Sequence, residues 1–184
     1  MMSLAGLLGT ACAHRAPGPA PAAAPLAISP VPPVDSVEEG LVITQEPKWI
    51  RVKALSIEAV FPAMTIDSFR LAYRSHYAET SLSLKERLRR RPSTTALPPK
   101  VLHDVVQCIV IEWFYFYNIN KREVRVSKRD LSHPQTYQTV RRVIAKTFPL
   151  DTPEHTGICA SLLDMTERQF LDWERSNDQQ EALF

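Results

Sequence analysis

The longest apolar stretch of this chain, residues 98–118, constrains its fold more than any other feature. Between Val105 and Tyr117 only Gln107 and Glu112 are polar, and aromatic residues fill the end of the stretch. A segment that is apolar on nearly all sides must be buried over most of its surface. Its apolar core of about 13 residues is shorter than the ~20 that cross a bilayer, so we predict no transmembrane segment.

A helix and a strand are alternative structures for this stretch. Pro98 and Pro99 suit the first turn of a helix, where a missing N–H costs little. The apolar residues between 101 and 109 recur at the i, i+4 spacing of a helix. The β-branched and aromatic residues at 109–117 would also suit a strand. We favour a buried helix that ends near Asn118, with the rest of the domain around it.

Glycine and proline are concentrated in the first 47 residues, which hold four of the five glycines and eight of the fifteen prolines. Proline at every second or third position prevents helix and ladder hydrogen bonding. Residues 1–47 are therefore predicted to be a disordered Pro/Ala-rich arm, and residues 48–184 a single folded domain. Because Gly157 is the only glycine of that domain, tight hairpins and glycine loops that cradle phosphates are disfavoured.

The N-terminus and the cysteines bear on localisation. Residues 1–13 are mildly hydrophobic and include Cys12, but they lack the Lys or Arg that begins a signal peptide. A lipoprotein of the bacterial cell envelope, anchored at Cys12 and binding a protein partner, is therefore the alternative and not the first choice. Cys108 and Cys159 have apolar neighbours, as buried free thiols do. We expect a cytoplasmic or other reducing compartment.

Shorter patterns predict a mainly α-helical domain with at most a small two-stranded β element. Residues 49–57 alternate between apolar and basic side chains, as a half-buried strand does, and could pair with residues 124–126. Helix-capping signals occur several times in the rest of the domain. They predict helices over residues 65–78, 83–91 and 132–147, and two more that begin near residues 151 and 166.

Charge is strongly segregated along the chain. Residues 85–146 carry fourteen basic and five acidic side chains, a net charge of +9, whereas residues 147–184 carry two basic and eight acidic ones, a net charge of −6. Basic tracts can neutralise phosphates, and Tyr115 or Tyr117 could stack on bases. We therefore predict a non-enzymatic, nucleocapsid-like or accessory protein that binds RNA or DNA. The predicted binding residues are Arg89, Arg90, Arg91, Lys121, Arg122, Arg125, Lys128, Arg129, Arg141, Arg142 and Lys146.

The acidic C-terminal segment suggests a further kind of contact. Residues 166–184 are predicted to form an amphipathic acidic helix with Phe170 and Trp173 on its apolar side. This helix could lie on the basic region of its own chain or of a neighbouring copy. The second arrangement would produce a homo-oligomer, or a surface for another protein partner.

Signatures of enzymes are scarce. The chain has no G-x-G-x-x-G, Walker, G-x-S-x-G or H-E-x-x-H motif. Glu112 lies among aromatic residues and could act as an acid or a base. His155 and Cys159, one helical turn apart, could form a nucleophile pair or half of a metal site, but structural zinc needs four ligands. We predict neither metal nor cofactor, and a small enzyme that uses Glu112 or His155/Cys159 stays an alternative.

Overall fold

The computed structural model describes residues 37–119, 131 and 133–181, apart from the side chains of residues 116–119 and 179–181. These residues belong to one unit, Pro32–Phe184, and they are mainly helical, as predicted. The strands are β1 (Val42–Gln45), β2 (Trp49–Ala54) and β3 (Ile57–Pro62), and the helices are α1 (Ile66–Arg90), α2 (Pro99–Ile119), α3 (Pro134–Ala145), α4 (Pro153–Leu162) and α5 (Glu167–Glu181).

The described sheet has three antiparallel strands in the order β1-β2-β3, one more than predicted. Both edges of β2 are occupied, so it has no edge left for the predicted pairing with residues 124–126, which lie outside the described residues. A hairpin joins β2 to β3 without a glycine, because Leu55 itself adopts a left-handed φ of 53°. The scarcity of glycine therefore did not exclude a tight hairpin.

The last residues of the predicted arm belong to the fold. The carboxylate of Glu38 lies 3.0 Å from Nε of Arg70 and 2.8 Å from Nε of Arg74, both on α1. The backbone oxygen of Glu39 accepts a hydrogen bond from Nε2 of Gln107 on α2 at 3.0 Å. No proline lies between residues 34 and 46, so the backbone there can pair with its neighbours. The folded part extends N-terminal of the boundary predicted at residue 48.

Helix α1 is continuous where the sequence predicts two helices. Thr65 caps it as predicted, since its side chain accepts a hydrogen bond from the backbone N–H of Ser68 at 3.2 Å. The helix ends just before Pro92, also as predicted. The second predicted start, at Ser83, is not used, because neither proline nor glycine interrupts residues 66–90 and Leu84 continues the buried side of the helix.

The apolar stretch forms α2, so the strand alternative for residues 109–117 is wrong. This helix packs against α1, α3 and β3, and Val105, Ile109 and Ile111 on it are fully buried. Of the helices in the described part of the chain, none has both the length and the apolar character needed to span a bilayer.

The three C-terminal helices begin close to their predicted positions. Thr166 and Gln169 form the predicted capping box of α5, with hydrogen bonds of 2.9 and 3.3 Å between each backbone N–H and the other side chain. The N-cap of α4 is Thr152, one residue after the predicted Asp151. Helix α3 begins after His133, which makes no side-chain capping bond, and the residue predicted to cap α3 lies outside the described residues.

Aromatic rings join the sheet to the first two helices. Phe61 of β3 lies 5.4 Å from Phe69 of α1 and 6.1 Å from Phe114 of α2, measured between ring centroids. Ile50 and Val52 of β2 are fully buried on the same side of the sheet. The inner face of the sheet therefore covers the core, and the alternate side chains of each strand form its outer face.

Candidate nucleic-acid interface

The first of three predicted basic tracts, Arg89, Arg90 and Arg91, lies at the C-terminal end of α1, where cations also stabilise the helix dipole. The side chains of Arg89, Arg90 and Arg91 are 65%, 52% and 42% exposed. Arg89 pairs with Glu86 through two hydrogen bonds of 2.9 and 2.8 Å. Arg90 and Arg91 reach Asp164, between α4 and α5, at 3.1 and 3.0 Å. The structure thus brings this tract together and places an acidic residue against it.

A partly open cavity of about 320 Å³ lies beside this tract. Arg90 and Arg91 line it from the end of α1, Gly157 and Ser161 from α4, and Thr166 from the turn before α5. The arginines therefore border the carboxylate of Asp164 and a cavity that is lined by hydroxyl groups and by a second carboxylate, that of Glu167.

Several predicted residues fall where the structure gives no description. This applies to the whole second basic tract, to the side chain of Tyr117 and to Cys12, so the predictions made for them stay predictions. Tyr115, the other predicted stacking residue, is described and is 38% exposed. The second tract consists of Lys121, Arg122, Arg125, Lys128 and Arg129.

The third basic tract, Arg141, Arg142 and Lys146, has two exposed members and one that is largely buried. Arg142 and Lys146 are exposed, as predicted. Arg141 instead lies with its Nε 3.3 Å from Oε1 of Glu174, and the two side chains are only 23% and 17% exposed. Tyr137 donates to the same carboxylate at 2.7 Å. The outward position predicted for Arg141 is wrong because α5 reaches this side of α3, which helical periodicity alone does not specify.

The acidic C-terminal segment lies in part on the basic region of its own chain. Glu174 of this segment pairs with Arg141, and Asp164, just before the segment, pairs with Arg90 and Arg91. This is the intramolecular one of the two arrangements considered for the acidic segment. Glu167, Asp172 and Asp178 stay exposed, and a role for them in self-assembly remains a prediction.

A second cationic surface, not predicted from the sequence, lies on the outer face of the sheet. Trp49 is 38% exposed, and the side chains of Arg51 and Lys53 are 39% and 55% exposed. Glu58 on β3 pairs with both cations. The hydrogen bond from Arg51 and, to a smaller extent, the one from Lys53 lower the pKa of the Glu58 carboxyl. The alternation that marks β2 as a strand already puts Trp49, Arg51 and Lys53 on one face, and this signal could have identified them.

Glu112 is enclosed between α2 and α3. The residue is 7% exposed, and Oε1 accepts a hydrogen bond from the hydroxyl of Thr139. Its Oε2 has no hydrogen-bond partner among the described residues. Burial raises the pKa of Glu112, although Thr139 and the charge of Arg142 oppose this. A raised pKa suits a general acid, but so little exposure leaves a substrate poor access.

His155 and Cys159 meet on one face of α4, as their spacing predicts. The Sγ of Cys159 lies 3.9 and 3.8 Å from Nδ1 and Nε2 of His155. Burial lowers the pKa of His155 and raises the pKa of Cys159 to about 12, so both groups are neutral at pH 7. A nucleophilic cysteine needs the opposite state, a thiolate beside a cation.

His155 and Cys159 would need further ligands close by to bind a metal ion. Within the ranges that the structure describes, no group of three or more His, Cys, Asp or Glu side chains could hold a metal ion. Cys108 and Cys159 are both free and buried, as their apolar neighbours predict. Burial raises the pKa of Cys108 to about 12 as well, so both thiols are protonated at pH 7 and neither is in the thiolate form that a nucleophile needs.

No protein-family model matches this chain, and neither does any curated protein or solved structure. The functional conclusion therefore depends on the described residues, and chiefly on which cations are exposed and which are held in internal pairs.

Proposed function

We propose that this is a non-enzymatic protein that binds an anionic polymer, RNA or DNA, through the arginines at the C-terminal end of α1. The observation that carries the proposal is the exposure of Arg89, Arg90 and Arg91, three consecutive arginines that keep 65%, 52% and 42% of their side-chain surface in solvent. Arginine presents several N–H donors in a planar arrangement that suits phosphate oxygens.

The local charge balance favours an anion. Residues 85–91 carry five basic side chains and one acidic one. Asp164 adds a second carboxylate to this end of α1, and Glu167, which lines the same cavity as Arg90 and Arg91, adds a third. Positive charge therefore exceeds negative charge at this position, even after the internal pairs are counted. A polyanion would gain by neutralising the excess and releasing its own counterions.

The internal pairs of this region are open to competition. Asp164 is about a third exposed, and its arginine partners are more so. Exposed ion pairs contribute only about 0–1 kcal/mol, so phosphates can take the place of the carboxylate. The pair between Arg141 and Glu174 is largely buried, and we therefore exclude Arg141 from the proposed binding residues. Arg142 and Lys146, which are exposed on α3 and just after it, stay predicted binding residues outside the α1 tract.

The proposal is tested with the full chain and a fluorescein-labelled single-stranded RNA, titrated at salt concentrations from about 50 to about 200 mM. We expect an affinity that falls steeply with salt. Each of the changes Arg89→Gln and Arg91→Gln should weaken binding and reduce the salt slope by about one unit per lost phosphate contact. Arg175→Gln is the matched control, because this exposed arginine pairs with Asp172 on α5, away from the tract.

A gain of function makes the test sharper. Asp164→Asn removes the competing charge, and asparagine tolerates the left-handed φ of 60° at this position. We expect this variant to bind the RNA more tightly than the unchanged protein. An absence of binding at about 50 mM salt, or binding that none of the Arg89, Arg91 and Asp164 changes alters, would overturn the proposal.

A further inference from the structure

The outer face of the sheet combines an aromatic ring with cations. Trp49, Arg51 and Lys53 follow one another at alternate positions of β2, and each keeps more than a third of its surface exposed. Val60 of β3 lies directly opposite Arg51 and is 37% exposed. Among the described residues, this sheet face is the place where a large aromatic side chain and basic side chains share one exposed surface with a strand's regular spacing.

The spacing of these residues suits a flexible nucleic-acid strand. Alternate residues of a strand are separated by about 6.6 Å, so a base stacked on Trp49 would place its neighbouring phosphates within reach of Arg51. Proteins that bind single strands combine such stacking surfaces with basic side chains that follow the backbone. A duplex offers no equivalent, because its base faces are already stacked on one another.

The charge of this face is also favourable. Lys48, in the turn that leads into β2, is exposed and adds a third cation to Arg51 and Lys53. Two acids accompany these cations. Glu58 pairs with two of them, at 3.0 Å in the case of Lys53, and Glu46 lies beside Trp49, since its backbone N–H donates a hydrogen bond to the carbonyl oxygen of Trp49. Three cations and two anions leave a net charge of +1. Glu58 therefore both orders the cations and competes with a phosphate for them.

We propose that the outer face of the sheet binds single-stranded nucleic acid, with a base stacked on Trp49 and phosphates paired with Arg51 and Lys53. This inference rests on the proposed function and adds two properties to it, a second contact surface and a preference for single strands. The stacking contact is insensitive to sequence, since every base offers an aromatic face.

The test uses the full chain, an unlabelled oligo-dT as ligand and the intrinsic fluorescence of the tryptophans. We expect oligo-dT to quench the fluorescence, and Trp49→Leu to abolish most of that quenching and weaken binding about tenfold or more. Trp49→Phe, which keeps a ring, should retain part of the affinity. Leu82→Ser is the control, because Leu82 is an exposed apolar residue on α1 and does not lie on the sheet. This change should leave binding unchanged.

Charge changes on the same face give a second line of evidence. Arg51→Gln and Lys53→Gln should each weaken binding of oligo-dT several-fold, whereas Glu58→Gln should strengthen it. Lys53 and Glu58 are exposed and Arg51 is half-buried, so the variants should fold, which a thermal melt would verify.

Two further probes separate this inference from the proposed function. Inorganic polyphosphate supplies charge without bases, and a DNA duplex supplies charge with hidden bases. Suppose that polyphosphate and oligo-dT both bind. If Trp49→Leu then leaves oligo-dT binding unchanged, or if the duplex binds as tightly as oligo-dT, the sheet-face inference is wrong while the proposed function stands. If neither oligo-dT nor polyphosphate binds at low salt, both are wrong.

Discussion

Tyr137 donates its phenolic hydrogen to Oε1 of Glu174 at 2.7 Å and so joins α3 to α5. Nε of Arg141 lies 3.3 Å from the same oxygen, and one carboxylate therefore faces a hydroxyl and a guanidinium. Burial and, to a lesser extent, the carboxylate of Glu174 raise the pKa of Tyr137, against the charge of Arg141, and this keeps the phenol protonated as a donor. This contact holds the acidic C-terminal helix on the basic region of its own chain.

Glu174→Ala should destabilise the protein by about 1 to 3 kcal/mol, because it leaves Arg141 and Tyr137 without their common partner in a largely buried position. The free energy of unfolding, from urea titration followed by circular dichroism, measures this loss. Asp172→Ala is the matched control on the same helix: its pair with Arg175 is exposed, so the change should cost less than about 0.5 kcal/mol. Equal losses in the two variants would contradict the importance of the buried carboxylate.

The parts of the fold that could be predicted from the sequence depend on local physics. The caps at Thr65 and Thr166 need only a side chain and a backbone N–H three residues later. The positions of Tyr137 and Phe170 in the core follow from helical periodicity. These interactions are complete within one or two turns of chain, so their signals are present in the local sequence.

The parts of the fold that could not be predicted from the sequence depend on which helices and strands contact one another in the folded chain. The periodicity of α3 does not say that α5 covers Arg141. The composition of the N-terminal segment does not say that Glu38 pairs with two arginines of α1. The same limit applies to the candidate site. The sequence shows that Arg89, Arg90 and Arg91 form a basic tract. It does not show that Asp164, more than 70 residues further along the chain, pairs with Arg90 and Arg91.

The position of the domain boundary leads to a second prediction. A variant that begins at residue 48 loses β1, which pairs with β2 through contacts such as Ile43 opposite Val52, and it loses the pairs of Glu38 with α1. We expect it to be less stable than a variant that begins at residue 37 by about 3 kcal/mol, or about 10 °C in Tm. Thermal melts of the two variants measure the difference, and equal Tm values would show that residues 37–47 add nothing to the fold.

The two described glycines should respond to alanine in opposite ways. Gly40 has a φ of 82°, a conformation that costs a residue with a Cβ about 1–2 kcal/mol, so Gly40→Ala should destabilise the protein by about that amount. Gly157 lies inside α4, where alanine is favoured by up to about 1 kcal/mol. Its new Cβ would lie 3.3 Å from Oε1 of Glu167 and 3.4 Å from Cβ of Ser93.

The carboxylate of Glu167 is the end of a flexible, exposed side chain and can move by a few tenths of an ångström. We therefore expect Gly157→Ala to leave the free energy of unfolding unchanged or to raise it by up to about 1 kcal/mol. Urea titration of both variants provides the comparison. A loss at Gly157 as large as that at Gly40 would mean that the approach of Ser93 and Glu167 to α4 is rigid.

Glu112 should make the stability of the protein depend on pH. Burial raises its pKa in the folded state above the ordinary value of 4.5, so the folded protein binds the proton more tightly than the unfolded chain does. The contribution of Glu112 to stability is therefore greatest below pH 4.5 and declines as pH rises through the pKa of the folded state. Above that pKa the buried carboxylate is ionised, and its Oε2 has no described hydrogen-bond partner.

Glu112→Gln removes this titration and keeps an oxygen that can accept the hydrogen bond from Thr139. We expect the variant to gain stability over the unchanged protein as the pH rises from about 4.5 to neutrality, as measured by urea titrations at several pH values. Glu86→Gln is a control of opposite sign, because Arg89 holds the pKa of Glu86 below its ordinary value. As the pH rises through the acidic range, this variant should lose stability relative to the unchanged protein. If the difference between Glu112→Gln and the unchanged protein were the same at every pH, the carboxyl of Glu112 could not have the raised pKa on which this prediction depends.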